Sequence, residues 1–118
     1  MAASMSDDPI LVRVRSELDR MYGGRIERVV LYGSRARGDA RPDSDYDIAV
    51  FLRNTSNIRS ELYRLADLGT DILFDELKSV HAMPWPAGAW RDRTPPTGIQ
   101  LIPGAPQGNP VSKQEAAR

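Results

Sequence analysis

Several residue types are scarce in this chain, and each scarcity excludes a class of protein. There is no cysteine and only one histidine, His81. This excludes a disulfide framework, a thiolate metal site and, in a monomer, a histidine-rich zinc site. No apolar run approaches the roughly 20 residues that a membrane-spanning helix needs. The first residues are small and acidic, unlike a secretion signal, so a cytoplasmic protein without membrane contact is expected.

The chain also has no excess of positive or negative charge. Lys+Arg and Asp+Glu number 16 each among 118 residues, with 41% apolar and 27% charged residues. These values are ordinary for one small soluble domain. A balanced charge offers no broad surface for a nucleic acid, so no direct nucleic-acid binding is expected. Any electrostatic function must therefore be local.

The first half of the chain has clear signals for regular structure. Asp8 is a candidate helix cap, Pro9 suits a first helical turn, and the Gly23-Gly24 pair is typical of a helix end. β-Branched and aromatic residues then alternate with turn residues. These patterns predict a helix over 9–22, a strand over 25–32, a helical turn over 34–37 and a strand over 45–52.

The second half is less regular. Apolar residues at helical spacing from Ile58 to Leu68 predict a helix that ends at Gly69. A short strand over Thr70–Phe74 and a further candidate strand over Ser79–Met83 follow. Seven of the nine prolines lie beyond Met83. Because proline interrupts helices and sheets, we expect an extended wrap over 84–97, pinned by Trp85 and Trp90. The expected organisation is a disordered start over 1–7, a folded domain over 8–93 and a Pro-rich, disordered tail over 94–118.

Two carboxylates mark the start of the second strand. Asp45 and Asp47 are two residues apart, so on a strand both side chains point to one face, with α-carbons about 7 Å apart. Two anions this close repel unless a cation lies between them, and Mg²⁺ binds through carboxylate oxygens. An isolated Asp-x-Asp can also be a turn cap at a strand start, and this alternative stays open.

A second signal precedes the carboxylates by ten residues. Gly33 ends a strand and would let a ligand approach the backbone, and Ser34 opens a helical turn whose free amides suit a phosphate. Arg35 and Arg37 add positive charge. Gly-Ser alone is also an ordinary turn. Together with Asp45 and Asp47, however, it predicts a phosphate cradle and a metal-binding pair at the ends of two neighbouring strands.

At this motif the chain resembles a known family. Gly33-Ser34, ten residues and then Asp45-Tyr46-Asp47 look like the signature of DNA polymerase β-like nucleotidyltransferases. The wider string from Gly33 to Asp47 is similar to the minimal nucleotidyltransferase (MNT) branch, many of whose members are antitoxins encoded beside a HEPN-domain toxin. The resemblance covers about residues 8–93. It implies an α+β fold with a small mixed sheet of three or four strands and helices on one face.

The resemblance also implies a function for the site. The Gly-Ser pair would bind a nucleoside triphosphate, and the two aspartates would ligate two Mg²⁺ ions, with a third carboxylate on a later strand. Asp71 and Asp75 both lie in or beside the predicted strand over 70–74, and we choose Asp71 because it is nearer the strand's middle. The expected reaction is AMP transfer from ATP to a tyrosine of a HEPN-type toxin.

Other interpretations remain open. The segment after residue 94 departs from the family pattern, which leaves room for a weakly catalytic module that neutralises its partner sterically. A small-molecule nucleotidyltransferase is a third possibility, although the chain is short for an acceptor domain. His81 is more typical of a surface or strand-end residue than of a catalytic group.

Overall fold

The computed structural model describes residues 8–89 and 99–104. Within them the chain folds into three α-helices, a short 3-10 turn and four strands. In chain order these are α1 (Pro9–Tyr22), the 3-10 turn (Gly23–Arg25), β1 (Ile26–Tyr32), α2 (Ser34–Arg37), β2 (Tyr46–Leu52), α3 (Ile58–Glu76), β3 (Val80–Pro86) and β4 (Gln100–Leu101).

The strands form one mixed sheet with the order β3-β2-β1-β4. β1 pairs antiparallel with β2 and with β4, whereas β2 and β3 run parallel. The main core joins apolar residues of α1 and α3 to one face of this sheet, with Val14, Leu18, Ile48, Leu65 and Ile72 among its fully buried members. The α+β fold with a small mixed sheet and helices on one face is confirmed.

Local signals set the first helix as predicted. The Asp8 carboxylate accepts a hydrogen bond from the Ile10 amide (2.9 Å), and Pro9 occupies the first helical position, where no amide partner is needed. The helix ends at Gly23, whose φ of 55° is costly for residues with a side chain. The predicted strands over 25–32 and 45–52 and the turn over 34–37 are present to within one residue at each end.

The predicted end of the second long helix is wrong. α3 continues through Gly69 to Glu76, so residues 70–74 are helical and no strand forms there. Gly69 is needed for packing, because a Cβ at this position would lie 2.7 Å from the Val80 carbonyl oxygen of β3. The helix closes instead at Leu77, which adopts a left-handed conformation with φ 58°.

The candidate strand near residue 80 exists and is longer than predicted. β3 includes Pro84 and Pro86, which were expected to belong to an extended wrap. Its place at the edge of the sheet explains this, since an edge strand needs hydrogen bonds on one side only. Trp85 lies in this strand and is 48% exposed. Trp90 lies outside the described residues.

Part of the predicted tail belongs to the fold. β4 pairs with Val30 and Leu31 of β1, and Ile102 is buried in the main core. The Gln100 side chain also donates a hydrogen bond to the Ala36 carbonyl of α2. The predicted disorder beyond residue 93 therefore does not hold for residues 99–104, while 105–118 lie outside the described residues. Searched over the described ranges, no helix is both long and apolar enough to cross a membrane.

Candidate active site

The candidate site lies where β1 ends and β2 begins. Tyr32, the last residue of β1, pairs with Asp47 of β2, and Gly33 follows directly. Gly33 has φ 79° and ψ −160°, a conformation open essentially to glycine alone. A Cβ on Gly33 would lie 2.3 Å from Asp47 Oδ2. The turn after β1 and the Asp47 carboxylate are therefore in direct contact, and only glycine permits that contact.

Strand alternation separates the site from the main core. Tyr46, Ile48 and Val50 of β2 are buried on the helix side. Asp47, Ala49 and Phe51 face the opposite side, hereafter the open face of the sheet. Asp47 is half-buried, and Asp45 is exposed immediately before the strand. The predicted placement of both carboxylates on one face of the strand holds for Asp47 alone, because Asp45 precedes β2.

Ser34 opens α2, directly after Gly33. The first amides of a helical turn have no partner within the helix, so those of Ser34 and Arg35 are available to a ligand. The turn itself is anchored by Ala36, which is buried in the main core. Arg37 is largely exposed and makes a long ion pair with Asp39 (3.4 Å). The side chains of Ser34, which is half-buried, and Arg37, which is exposed, are thus both accessible to solvent.

Arg35 has a structural role that the sequence did not indicate. Its guanidinium donates hydrogen bonds to the Ser44 carbonyl from Nε (3.0 Å) and Nη2 (2.9 Å), and to the Pro42 carbonyl (3.1 Å). The same group lies over the Tyr46 ring, 4.0 Å from its centroid. Arg35 therefore holds the loop that delivers Asp45, and these contacts occupy donors that were expected to meet the nucleotide.

Tyr46 links this loop to the start of α1. Its hydroxyl donates a hydrogen bond to Asp8 Oδ2 (3.0 Å), the same carboxyl group that caps the helix. Burial, the hydrogen bond to Asp8 and the Asp8 charge raise the pKa of Tyr46 to about 12, and Arg35 opposes that shift. Burial, followed by the Asp47 charge, also raises the pKa of Tyr32 at the site itself.

Asp71 does not join the other two aspartates. It is exposed on α3, which packs on the helix side of the sheet, whereas Asp47 lies on the open face. The strand that was expected to bring Asp71 to the site does not exist. Among the described residues, no three His, Cys, Asp or Glu side chains form a group that could hold a metal ion. Asp75 is likewise helical and forms an ion pair with Arg13 (2.8 Å).

The comparison with protein-family models decides the family. The model of the nucleotidyltransferase domain matches residues 11–85, which include Gly33, Ser34, Asp45 and Asp47. The chain belongs to the nucleotidyltransferase domain family.

Individual relatives agree with that assignment. A Methanocaldococcus jannaschii protein, provisionally named a protein adenylyltransferase, is 37% identical over 46 residues, or 39% of this chain and 46% of that relative. The chain thus spans about half the length of this curated relative.

Solved structures share the fold of this nucleotidyltransferase domain. A Sulfolobus solfataricus protein, provisionally described as a nucleotidyltransferase, has a TM-score of 0.53 at 23% identity, with 78% of this chain and 76% of that one covered. A toxin–antitoxin structure with AMP-PNP has a TM-score of 0.50 at 17% identity, covering 86% and 80%. A mutant of the toxin–antitoxin MntA-HpeT has a TM-score of 0.50 at 14% identity, covering 89% and 82%.

Proposed function

We propose that this protein is a Mg²⁺-dependent nucleotidyltransferase that transfers AMP from ATP to a hydroxyl group, with a tyrosine of a HEPN-type toxin as the acceptor. The observation that carries the proposal is the contact between Gly33 and the Asp47 carboxylate. The contact brings together the turn that would bind phosphate and a carboxylate that would bind metal, which supports one shared site.

The donor set suits magnesium. Mg²⁺ in enzymes is usually held by one or two carboxylates, with waters and substrate phosphates as the remaining ligands. Asp45 and Asp47 would supply the carboxylates for the two predicted ions, and both side chains are accessible to solvent. When bound, Mg²⁺ would stabilise charge on the α-phosphate and lower the pKa of the attacking hydroxyl.

The turn after β1 would bind the triphosphate. The Ser34 and Arg35 amides and the Ser34 hydroxyl follow Gly33 directly and would donate to an anion. The exposed Arg37 guanidinium, which pairs with Asp39 at the end of the same turn, would add positive charge. Arg35 would contribute through its amide, because its side chain holds the loop before Asp45. In this proposal the phosphates would lie between the donors of the short helical turn and the metal held by the carboxylates.

The acceptor and the partner rest on indirect support. The relative provisionally named an adenylyltransferase supports AMP as the transferred group and a protein as its acceptor. Two structures of similar fold are toxin–antitoxin assemblies, one of them with AMP-PNP, which supports a toxin partner. The HEPN class of the toxin and the tyrosine acceptor are implied by the resemblance of the segment from Gly33 to Asp47 to the minimal nucleotidyltransferases.

One observation favours a second candidate. Within the described ranges no third carboxylate joins Asp45 and Asp47, and a site with only two carboxylates favours weak catalysis. The alternative function is a binding module that neutralises its partner by covering it.

The proposal is tested by measuring the transfer of radiolabel from α-³²P-ATP to the toxin expected to be encoded beside this gene. We expect label on the toxin with wild type and Mg²⁺, and none with Asp47→Asn. Asp67→Asn, an exposed substitution on α3, is the matched control and should retain full transfer. If wild type and Asp47→Asn neutralise the toxin equally and leave it unlabelled, the binding module is the correct function.

A further inference from the structure

His81 lies beside Asp47 on the open face of the sheet. β2 and β3 run parallel, and the register pairs Asp47 with His81. Paired positions on neighbouring strands put their side chains on the same face, with the strands about 4.8 Å apart. Further along the same face, the rings of Phe51 and Trp85 stack with centroids 6.4 Å apart. This contact shows that paired side chains on the open face meet.

His81 is also the nearest group on β3 that can exchange hydrogen bonds with a ligand at Asp47. The neighbouring residues Val80 and Ala82 point into the main core, and no residue of β3 carries a carboxylate. Met83 is apolar, and Trp85 lies four residues further, about 13 Å along the strand. The His81 ring is exposed, and within the described residues no hydrogen bond or ion pair engages it.

The proposed reaction needs a group with this position and chemistry. An attacking hydroxyl must be held beside the α-phosphate with its hydrogen directed away from phosphorus, and a neutral imidazole nitrogen can accept that hydrogen bond. Asp45 and Asp47 would be occupied as metal ligands, and Asp71 lies on the other side of the sheet. The described residues offer no second free acceptor at the corresponding place on β3.

We propose that His81 contacts the acceptor hydroxyl and orients it for attack. This inference rests on the proposed nucleotidyl transfer. In the step, the hydroxyl oxygen bonds to the α-phosphorus, and the bond from that phosphorus to the bridging oxygen breaks. Pyrophosphate leaves with the electron pair, and the hydroxyl proton passes to solvent water. His81 accepts the hydrogen bond of the hydroxyl before attack, loses that contact when the proton leaves, and forms no covalent bond.

Nuclear magnetic resonance of the imidazole ring tests the location of His81. Because the chain has one histidine, its ring signals need no assignment. We expect Mg²⁺ with an α,β-methylene analogue of ATP to shift these signals in wild type and in Asp67→Asn, and to leave them unchanged in Asp47→Asn. Calorimetry on the same samples records whether the analogue binds.

The outcomes separate this inference from the proposed function. If the analogue binds with Mg²⁺ while the ring signals stay in place, His81 is outside the site and the inference is overturned. If no analogue binds to wild type, the proposed function fails first.

The role of the ring is tested by kinetics with the toxin as acceptor. His81→Ala should lower kcat about 10- to 100-fold with less than about a threefold change in the KM for ATP, because only the acceptor loses its contact. His81→Gln, which keeps a hydrogen-bond acceptor, should recover part of the rate. Met83→Ala, on the same strand and face, is the control and should keep kcat. Equal rates for wild type and His81→Ala, or equal losses in the alanine and glutamine variants, would overturn the inference.

Discussion

The two faces of the sheet differ in what lies on them. On the helix side, Ile48, Val50 and Leu52 of β2 are almost completely buried beneath α1 and α3. The open face has a small apolar cluster around Val30, Ala49 and Phe51. Beyond that cluster the open face has Asp47 and His81 at one end, and Met83, Trp85 and Leu101 remain 41–57% exposed.

This difference separates stability from chemistry within a single strand. Consecutive residues of β2 point to opposite faces, so Ile48 contributes to the core while its neighbour Asp47 belongs to the site. On the open face β2 is also buried at Ala49 and Phe51, whereas Asp47 near its start is only half-buried and avoids the large desolvation cost of a fully buried carboxylate. This end of the open face is therefore the part of the fold where charged groups can act on a ligand.

The strongest test of the comparison removes volume from each face. Ile48 is completely buried, so Ile48→Ala should lower the free energy of unfolding by about 2–5 kcal/mol through lost burial and a cavity. Met83→Ala on the open face should cost less than about 1 kcal/mol, since Met83 is already 41% exposed. Urea denaturation of both variants measures the difference. Similar losses would mean that the open face is covered as well.

A second test compares two glycines with positive φ. Gly38→Ala should cost about 1–2 kcal/mol of stability because its backbone is left-handed, and Gly33→Ala should cost more, about 1–3 kcal/mol from its glycine-only conformation with the contact to Asp47 added. Only the Gly33 substitution places a Cβ against the Asp47 carboxylate, while nothing lies within 4 Å of a Cβ on Gly38. We therefore expect nucleotidyl transfer to be lost in Gly33→Ala and retained in Gly38→Ala. If both variants lost nucleotidyl transfer, backbone strain alone would explain the loss.

Much of this arrangement could be predicted because its signals are local. Asp8 and Pro9 predicted the start of the first helix, and the β-branched and aromatic residues predicted the strands over 25–32 and 45–52 to within one residue. The motif from Gly33 to Asp47 is short enough that its two halves meet through one hairpin-like pairing of neighbouring strands.

The remainder depends on contacts between distant segments. Gly69 has the local signature of a helix end, but the close approach of Val80 makes it a packing residue. β4 has only two residues and finds its partner in β1, about 70 positions earlier, so no local pattern indicates it. The register that puts His81 opposite Asp47 is likewise set by long-range pairing of β2 with β3. Hydrophobic periodicity and residue propensity describe only neighbouring residues, so they do not predict these contacts.

A third test uses pH and concerns the helix side. The pKa of Tyr46 is raised to about 12 from its ordinary value near 10, so the folded state favours the neutral phenol. This contribution to stability is complete below pH 10 and is lost as the pH rises from 10 to 12. Tyr46→Phe should cost about 1 kcal/mol at pH 7 through the lost hydrogen bond to Asp8.

The same substitution should flatten the stability curve above pH 10. Part of the slope should persist, because burial also raises the pKa values of Tyr22 and Tyr32. Tyr63→Phe is the control, since that ring is 65% exposed, and its curve should follow wild type. If the stability of wild type and of Tyr46→Phe varied with pH in the same way, ionisation of the Tyr46 phenol would have no effect on folding stability.

The smallest expected effect belongs to Asp71. Its side chain is exposed on α3, across the sheet from Asp47, so Asp71→Asn should change neither transfer nor Mg²⁺ affinity by more than about twofold. Stability should also change by less than about 0.5 kcal/mol, as for other exposed substitutions. Transfer is measured by kinetics and Mg²⁺ affinity by calorimetry, with Asp47→Asn measured in parallel. The two variants lose the same charge on opposite sides of one sheet, so their results can be compared directly. A large loss in Asp71→Asn would restore its predicted role as the third carboxylate and require α3 to rearrange when the site is filled.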